Sequence, residues 1–101
     1  PKSVLEIGSN DGCFIKNFPI DTSVCIEPSS NLANLTDILG YKTYDEFFAL
    51  HIVDKLLKTH GKFDLIYSAN CICHIPSIDG VLESVSQLLS DDGMFVSEEF
   101  I

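Results

Sequence analysis

Apolar residues along this chain fall into two kinds of spacing. Ser3-Val4-Leu5-Glu6-Ile7, Ser23-Val24-Cys25-Ile26-Glu27, Phe63-Asp64-Leu65-Ile66-Tyr67-Ser68 and Met94-Phe95-Val96-Ser97-Glu98 are compact, nearly continuous runs of the length and side-chain type of buried strands, and residues 41–44 add a short one. Between them the period changes to three or four. Residues 12–18, with Cys13, Ile15 and Phe18 apolar, predict a short helix broken by Pro19. Ser29 or Ser30 caps a second, whose inward face is Leu32, Leu35, Ile38 and Leu39 and whose stop is Gly40. Asp45 caps a third over residues 46–60, with Phe48, Ile52, Leu56 and Leu57 inward and Gly61 as its end. Ser77 caps a fourth that turns Ile78, Val81, Leu82, Val85, Leu88 and Leu89 to one side, and Asp91-Asp92-Gly93 reads as the turn into the last strand. Buried strands alternating with helices predict an α/β, doubly wound, Rossmann-like parallel sheet with helices on both faces.

Composition narrows the partners. The 101 residues hold six lysines or arginines against fifteen acids, a formal charge of −9, with 46% apolar and 21% charged residues, which suits one small domain with a core. All six basic residues are lysines, scattered from Lys2 to Lys62, so no stripe tracks a phosphate backbone and nucleic acid is not an expected partner. No apolar run reaches the roughly 18 residues of a membrane span, so no membrane partner is expected. Cys13, Cys25, Cys71 and Cys73 lack CxxC spacing, Cys71-x-Cys73 would need two outside ligands to hold a metal, and no metal is expected. Thiols without a staple pattern point to a reducing cytoplasm. The chain opens at Pro1 on an apolar run and stops at Phe100-Ile101 just past another, which reads as a piece of a larger protein.

In open parallel sheets ligands bind at the carboxyl ends of the strands. There the chain places Glu6-Ile7-Gly8-Ser9-Asn10-Asp11-Gly12, Glu27-Pro28-Ser29 and Ser68-Ala69-Asn70-Cys71-Ile72-Cys73-His74. Gly8 allows a tight turn and a close ligand, Gly12 lets the following helix start near the sheet, and Glu27 follows Gly8 at the separation where a carboxylate accepts both hydroxyls of an adenosine ribose. A dinucleotide needs a second glycine where this chain has Asn10, and Glu6 and Asp11 make the loop a poor seat for a diphosphate. S-adenosylmethionine carries a sulfonium and an ammonium and no phosphate, so acids around the loop suit it.

Glu6-x-Gly8-x-x-x-Gly12, Glu27 and Asn70 resemble the cofactor face of class I S-adenosylmethionine-dependent methyltransferases. The longer strings Leu5-Glu6-Ile7-Gly8-Ser9-Asn10-Asp11-Gly12, Gly40-Tyr41-Lys42-Thr43 with Phe47-Phe48, Asn70 with His74-Ile75-Pro76, and Asp92-Gly93-Met94-Phe95-Val96-Ser97-Glu98 resemble the C-methyltransferases of nucleotide-linked deoxy-keto sugars. The resemblance implies strand order 3-2-1-4-5, residues 1–101 as a partial cofactor-binding domain, and methyl transfer to a carbon made nucleophilic by loss of a proton α to a ketone. It also implies S-adenosylhomocysteine as product, a nucleotide-sugar substrate, and zinc only in an upstream cysteine domain outside this sequence.

By the same resemblance Glu6, Gly8, Ser9, Asn10 and Gly12 line the methionine moiety, Glu27 holds the ribose, Pro28 lies against the adenine edge, and Ala69 and Asn70 face the methionine end. Cys13 stands where a small hydroxylated residue is common. Tyr44 and Phe47 are either adenine-pocket or core aromatics. His74 is the one histidine beside the cleft, a candidate base or a structural cap before Ile75-Pro76; the family's main acid–base residues lie beyond Glu98, so the piece alone is expected to be inactive. His51, His60 and the lysines at 55, 58 and 62 read as wet helix faces. Two other readings stand beside this one: a nicotinamide-dependent dehydrogenase or epimerase fragment, and a Rossmann-like binding module without turnover.

Overall fold

A computed structural model of the chain describes residues 2–69 and 78–98. Five strands, β1 (Val4–Ile7), β2 (Ser23–Ile26), β3 (Lys42–Tyr44), β4 (Phe63–Ala69) and β5 (Leu89–Glu98), form one parallel sheet in the order β3-β2-β1-β4-β5. Three helices, α1 (Ser30–Ile38), α2 (Leu50–His60) and α3 (Ile78–Leu88), connect it. The class and strand order expected above hold. Among the described residues no helix is long and apolar enough to cross a membrane.

Parallel register puts side chains in rows. Val24, Leu5 and Ile66 share one row, and Ile26, Ile7 and Ser68 another. These rows face α2 and α3, where Leu5, Ile7, Val24, Ile26 and Ile66 join Phe48, Ile52, Val53, Leu56, Phe63, Val81, Val85 and Leu88 in one apolar cluster. Ile52 and Leu56 of α2 and Val81, Val85 and Leu88 of α3 are thus inward as the spacing predicts, whereas Leu82 stays exposed and Leu89 belongs to β5. The opposite face holds a smaller cluster of Val4, Ile15, Cys25 and Tyr41, edged by Phe14, Phe18 and Leu65.

Four local expectations are corrected. Residues 12–18 make no α-helix, only a 3-10 turn at Ile15–Asn17, because the stretch between Gly12 and Pro19 is too short to offset helix nucleation and the Asn17 amide bonds the Cys13 and Phe14 carbonyls instead. Helix α2 starts at Leu50, not 46: Phe48 is sunk into the core ahead of the helix, and the Glu46 carboxylate reaches forward to His51 and Lys55, each at 3.2 Å.

Helix α1 turns its small residues inward. Ala33 and Thr36 are buried while Leu35 and Ile38 face out, Ile38 at 72% exposure, and Leu39, just past the helix, is half covered by the loop. Close packing dictates this: a Cβ on Gly12 (φ +84°) would lie 3.0 Å from Leu39 Cδ1 and 3.1 Å from Thr36 Cγ2, so the loop sits hard against the helix. Residues 91–93 lie inside β5, which begins directly after α3. Pairing runs from Phe63↔Leu89 to Leu65↔Met94, so β5 has three more residues than β4 across that step and bulges. The chain doubles back so tightly that a Cβ on Gly93 would meet Leu89 Cδ1 at 2.8 Å.

Candidate cofactor site

The loop after β1 is tied to the strand beside it. The Gly8 N–H donates to the Ile26 carbonyl at 2.7 Å and the Ser9 N–H to the same oxygen at 3.3 Å. The Gly12 N–H closes the turn on the Ser9 carbonyl at 3.0 Å, and the Asp11 carboxylate accepts the Cys13 N–H at 3.0 Å. Asn10 sits at φ +53°, a left-handed backbone that asparagine tolerates. The position thus has a backbone that glycine favours but carries an exposed side chain.

Glu27 is the knot of the site. It is 6% exposed, and its carboxylate accepts two backbone N–H groups at 2.9 Å: Asn10 on Oε1 and Ser29 on Oε2. One side chain therefore joins the loop after β1 to the segment after β2, while its own N–H donates to the Tyr44 carbonyl at 2.9 Å. Glu27 is thus a buried, hydrogen-bonded carboxylate and not a solvated strand end. Each oxygen keeps a lone pair beyond the one used, so acceptance of further O–H donors stays open.

Beneath the loop runs a polar row. Register pairs Glu6 with Cys25 on β2 and with Tyr67 on β4, and Cys25 with Thr43 on β3, so these four occupy one line across the sheet. Glu6 is 3% exposed and its Oε1 has no hydrogen-bond partner; nor does the buried Ser9 hydroxyl above it. Burial, then the neighbouring Asp11 and Glu27 carboxylates, push the Glu6 carboxyl up to about 8, with the Ile15 N–H pulling weakly the other way. Burial and then Glu6 push the Cys25 thiol up to about 12, so Cys25 is an inert neutral thiol. Tyr67 stacks on Phe14 with centroids 3.8 Å apart, and burial followed by Glu98 raises its phenol.

The fold thus collects Glu6, Gly8, Ser9, Asn10, Gly12, Glu27 and Pro28 at the carboxyl ends of β1 and β2, with Ala69 one residue past the Ile7↔Ser68 pair on β4. Asn70, Cys71, Cys73, His74 and the cap Ser77 lie outside the described residues. Tyr44 is a core residue whose hydroxyl pairs with His60 Nε2 at 3.0 Å, whereas Phe47 is 70% exposed after β3. His60 is consequently half-buried, and burial followed by Lys42 lowers its pKa. Sequence reasoning missed Cys25, Thr43 and Tyr67 as companions of Glu6; the one signal was a glutamate inside an apolar strand, and register supplies the rest.

A family model described as a methyltransferase domain matches residues 1–100. The chain belongs to the methyltransferase domain family. This domain is 35% identical over 97 residues to the C-methyltransferase NovU of Streptomyces niveus, covering 94% of the chain and 23% of that protein. Among solved structures it resembles the plantazolicin methyltransferase BpumL, crystallised with S-adenosylhomocysteine and a triazolic desmethylPZN analog, at TM-score 0.73 and 19% identity over 95% of this chain and 38% of that one. It also resembles a possible histamine N-methyltransferase of Thermotoga maritima, at TM-score 0.66 and 19% identity over 93% of this chain and 42% of that one. The domain therefore spans about a quarter of the curated relative it matches. S-adenosylmethionine is the cofactor of this family, and an unpartnered buried carboxyl oxygen with two further carboxylates around it suits a cationic group.

Proposed function

We propose that this domain supplies the cofactor site of an S-adenosylmethionine-dependent C-methyltransferase whose acceptor is a small molecule, a nucleotide-linked keto-deoxysugar. One observation carries the reading: the turn after β1 closes over a buried acidic floor, Glu6 with its free Oε1, and fills the place of a second glycine with Asn10. A dinucleotide would bring two negative phosphates onto that floor, whereas an ammonium or sulfonium meets opposite charge. The 35% identity to a C-methyltransferase supports carbon as the acceptor atom.

In this reading the backbone of Gly8, Ser9, Asn10 and Gly12 and the carboxyl of Glu6 embrace the methionine part, and the outer lone pairs of Glu27 accept the ribose hydroxyls. Pro28 borders the adenine, and Ala69 and Asn70 close the methionine end. When bound, S-adenosylmethionine supplies an electrophilic methyl group. His74 is a base candidate, and the main proton-abstracting residues lie on segments outside this chain. A cytoplasmic location fits the unpaired thiols of Cys13 and Cys25.

Isothermal titration of the intact protein tests the reading. S-adenosylhomocysteine is expected to bind and NAD not to; the reverse ranking overturns it. Glu27→Ala should weaken S-adenosylhomocysteine by about 1–3 kcal/mol, because the ribose hydroxyls lose a buried acceptor. Unchanged affinity removes Glu27 from the ribose.

A further inference from the structure

We propose that seating the cofactor's ammonium drives the proton off Glu6, so that loading of this site releases a proton to solvent. The inference deepens the cofactor reading above and rests on it. Its geometric basis is the isolation of Glu6 from positive charge. The groups facing it are Asp11 from the loop, Glu27 from the end of β2, the Cys25 thiol from β2 and the Tyr67 phenol from β4. Glu98 on β5 faces Tyr67 in turn, and Thr36 of α1 meets the Cys25 thiol as an uncharged hydroxyl. Every one of the titratable groups among them is an acid, and Oε1 is left bare in a 3%-exposed side chain.

In such surroundings a carboxylate is disfavoured three ways, by lost water and by two like charges, and the group holds its proton up to about pH 8. A fixed cation reverses the balance. The step is an ordinary acid dissociation: the Glu6 O–H bond breaks, its electron pair stays on the carboxylate facing the ammonium, and the proton passes to the buffer. The charge of the filled site then differs from that of the empty one by a single unit less than the ligand brings. Affinity should consequently climb by up to tenfold per pH unit from about pH 6 to 7.5 and level near pH 8. At still higher pH the ligand's own ammonium loses its proton and affinity declines.

The test is calorimetric titration of the intact protein with S-adenosylhomocysteine at pH 7 in phosphate and in Tris, whose different ionisation enthalpies report protons exchanged. Release of close to one proton is expected. In Glu6→Gln the release should vanish and the affinity should become flat between pH 6 and 7.5. Binding without proton release in the wild-type protein overturns the linkage and leaves the cofactor reading standing, while no binding at all overturns both. Release that persists in Glu6→Gln also overturns the assignment, since another group then carries the proton. Should Glu6→Gln fail to fold, the wild-type buffer pair still decides.

Discussion

On the α2–α3 side of the sheet, Leu5, Ile7, Val24, Ile26 and Ile66 meet Ile52, Val53 and Leu56 of one helix and Val81, Val85 and Leu88 of the other. On the other side the intervening positions of the same strands present Glu6, Cys25, Thr43 and Tyr67, and α1 answers with Ala33 and Thr36. The strands are common to both faces; what differs is the cost of filling each. The apolar face gains chiefly from burial, with the Ser68 hydroxyl its buried polar atom without a partner, whereas the polar face keeps Glu6 Oε1, a carboxyl oxygen, and the Ser9 hydroxyl in that state. A domain of this size can carry such a penalty on one face because the other supplies the stability, and unmet polar atoms concentrate where a ligand can meet them.

The contrast can be broken from the apolar side first. Phe63→Ala, at a fully buried ring, should destabilise the domain by about 3–5 kcal/mol in urea unfolding, and a loss under ~1 kcal/mol would mean that this face is not the stabilising one. The next largest effect belongs to Glu6 and depends on pH. Its folded-state pKa of about 8 lies above the ordinary 4.5, so between those values the folded protein binds more protons than the unfolded chain. Stability should therefore be greatest at the acid end of that window and fall by up to ~1.4 kcal/mol per pH unit as pH rises through it. Glu6→Gln should flatten the slope in thermal unfolding of the unliganded protein; an unchanged slope assigns it elsewhere. The smallest effect is expected on the outer side of α1. Ile38→Ser should shift stability by no more than about 0.5 kcal/mol, and a loss beyond ~1 kcal/mol would show that another segment covers that helix.

The positions of β1, β2 and β4 and the existence of α1, α2 and α3 were legible because compact apolar runs and a spacing of three or four mark them. The strand order, in contrast, came with the family resemblance, and the helix expected over residues 12–18 is only a 3-10 turn. The gathering of Glu6, Gly8, Asn10, Gly12 and Glu27 at the carboxyl ends of β1 and β2 was legible too, since they lie within a short span of sequence. What escaped depended on distant partners. The inward face of α1 is set by how close Gly12 comes to Thr36 and Leu39, which no helical wheel of residues 30–38 encodes. The late start of α2 follows from Phe48 dropping into a core built by other strands. The bulge in β5 needs Phe63 and Leu65 of β4 to define it, so Asp91-Asp92-Gly93 alone reads as a turn.

Glu27 holds the Asn10 and Ser29 amides with its inner lone pairs while its outer ones stay available. If Glu27 takes the ribose as proposed, these two bonds set the loop and the segment after β2 in place in advance, and an arriving nucleoside does not have to freeze them before it is gripped. Association would then resemble docking to a preformed site, with discrimination among nucleosides expressed in how long each one stays.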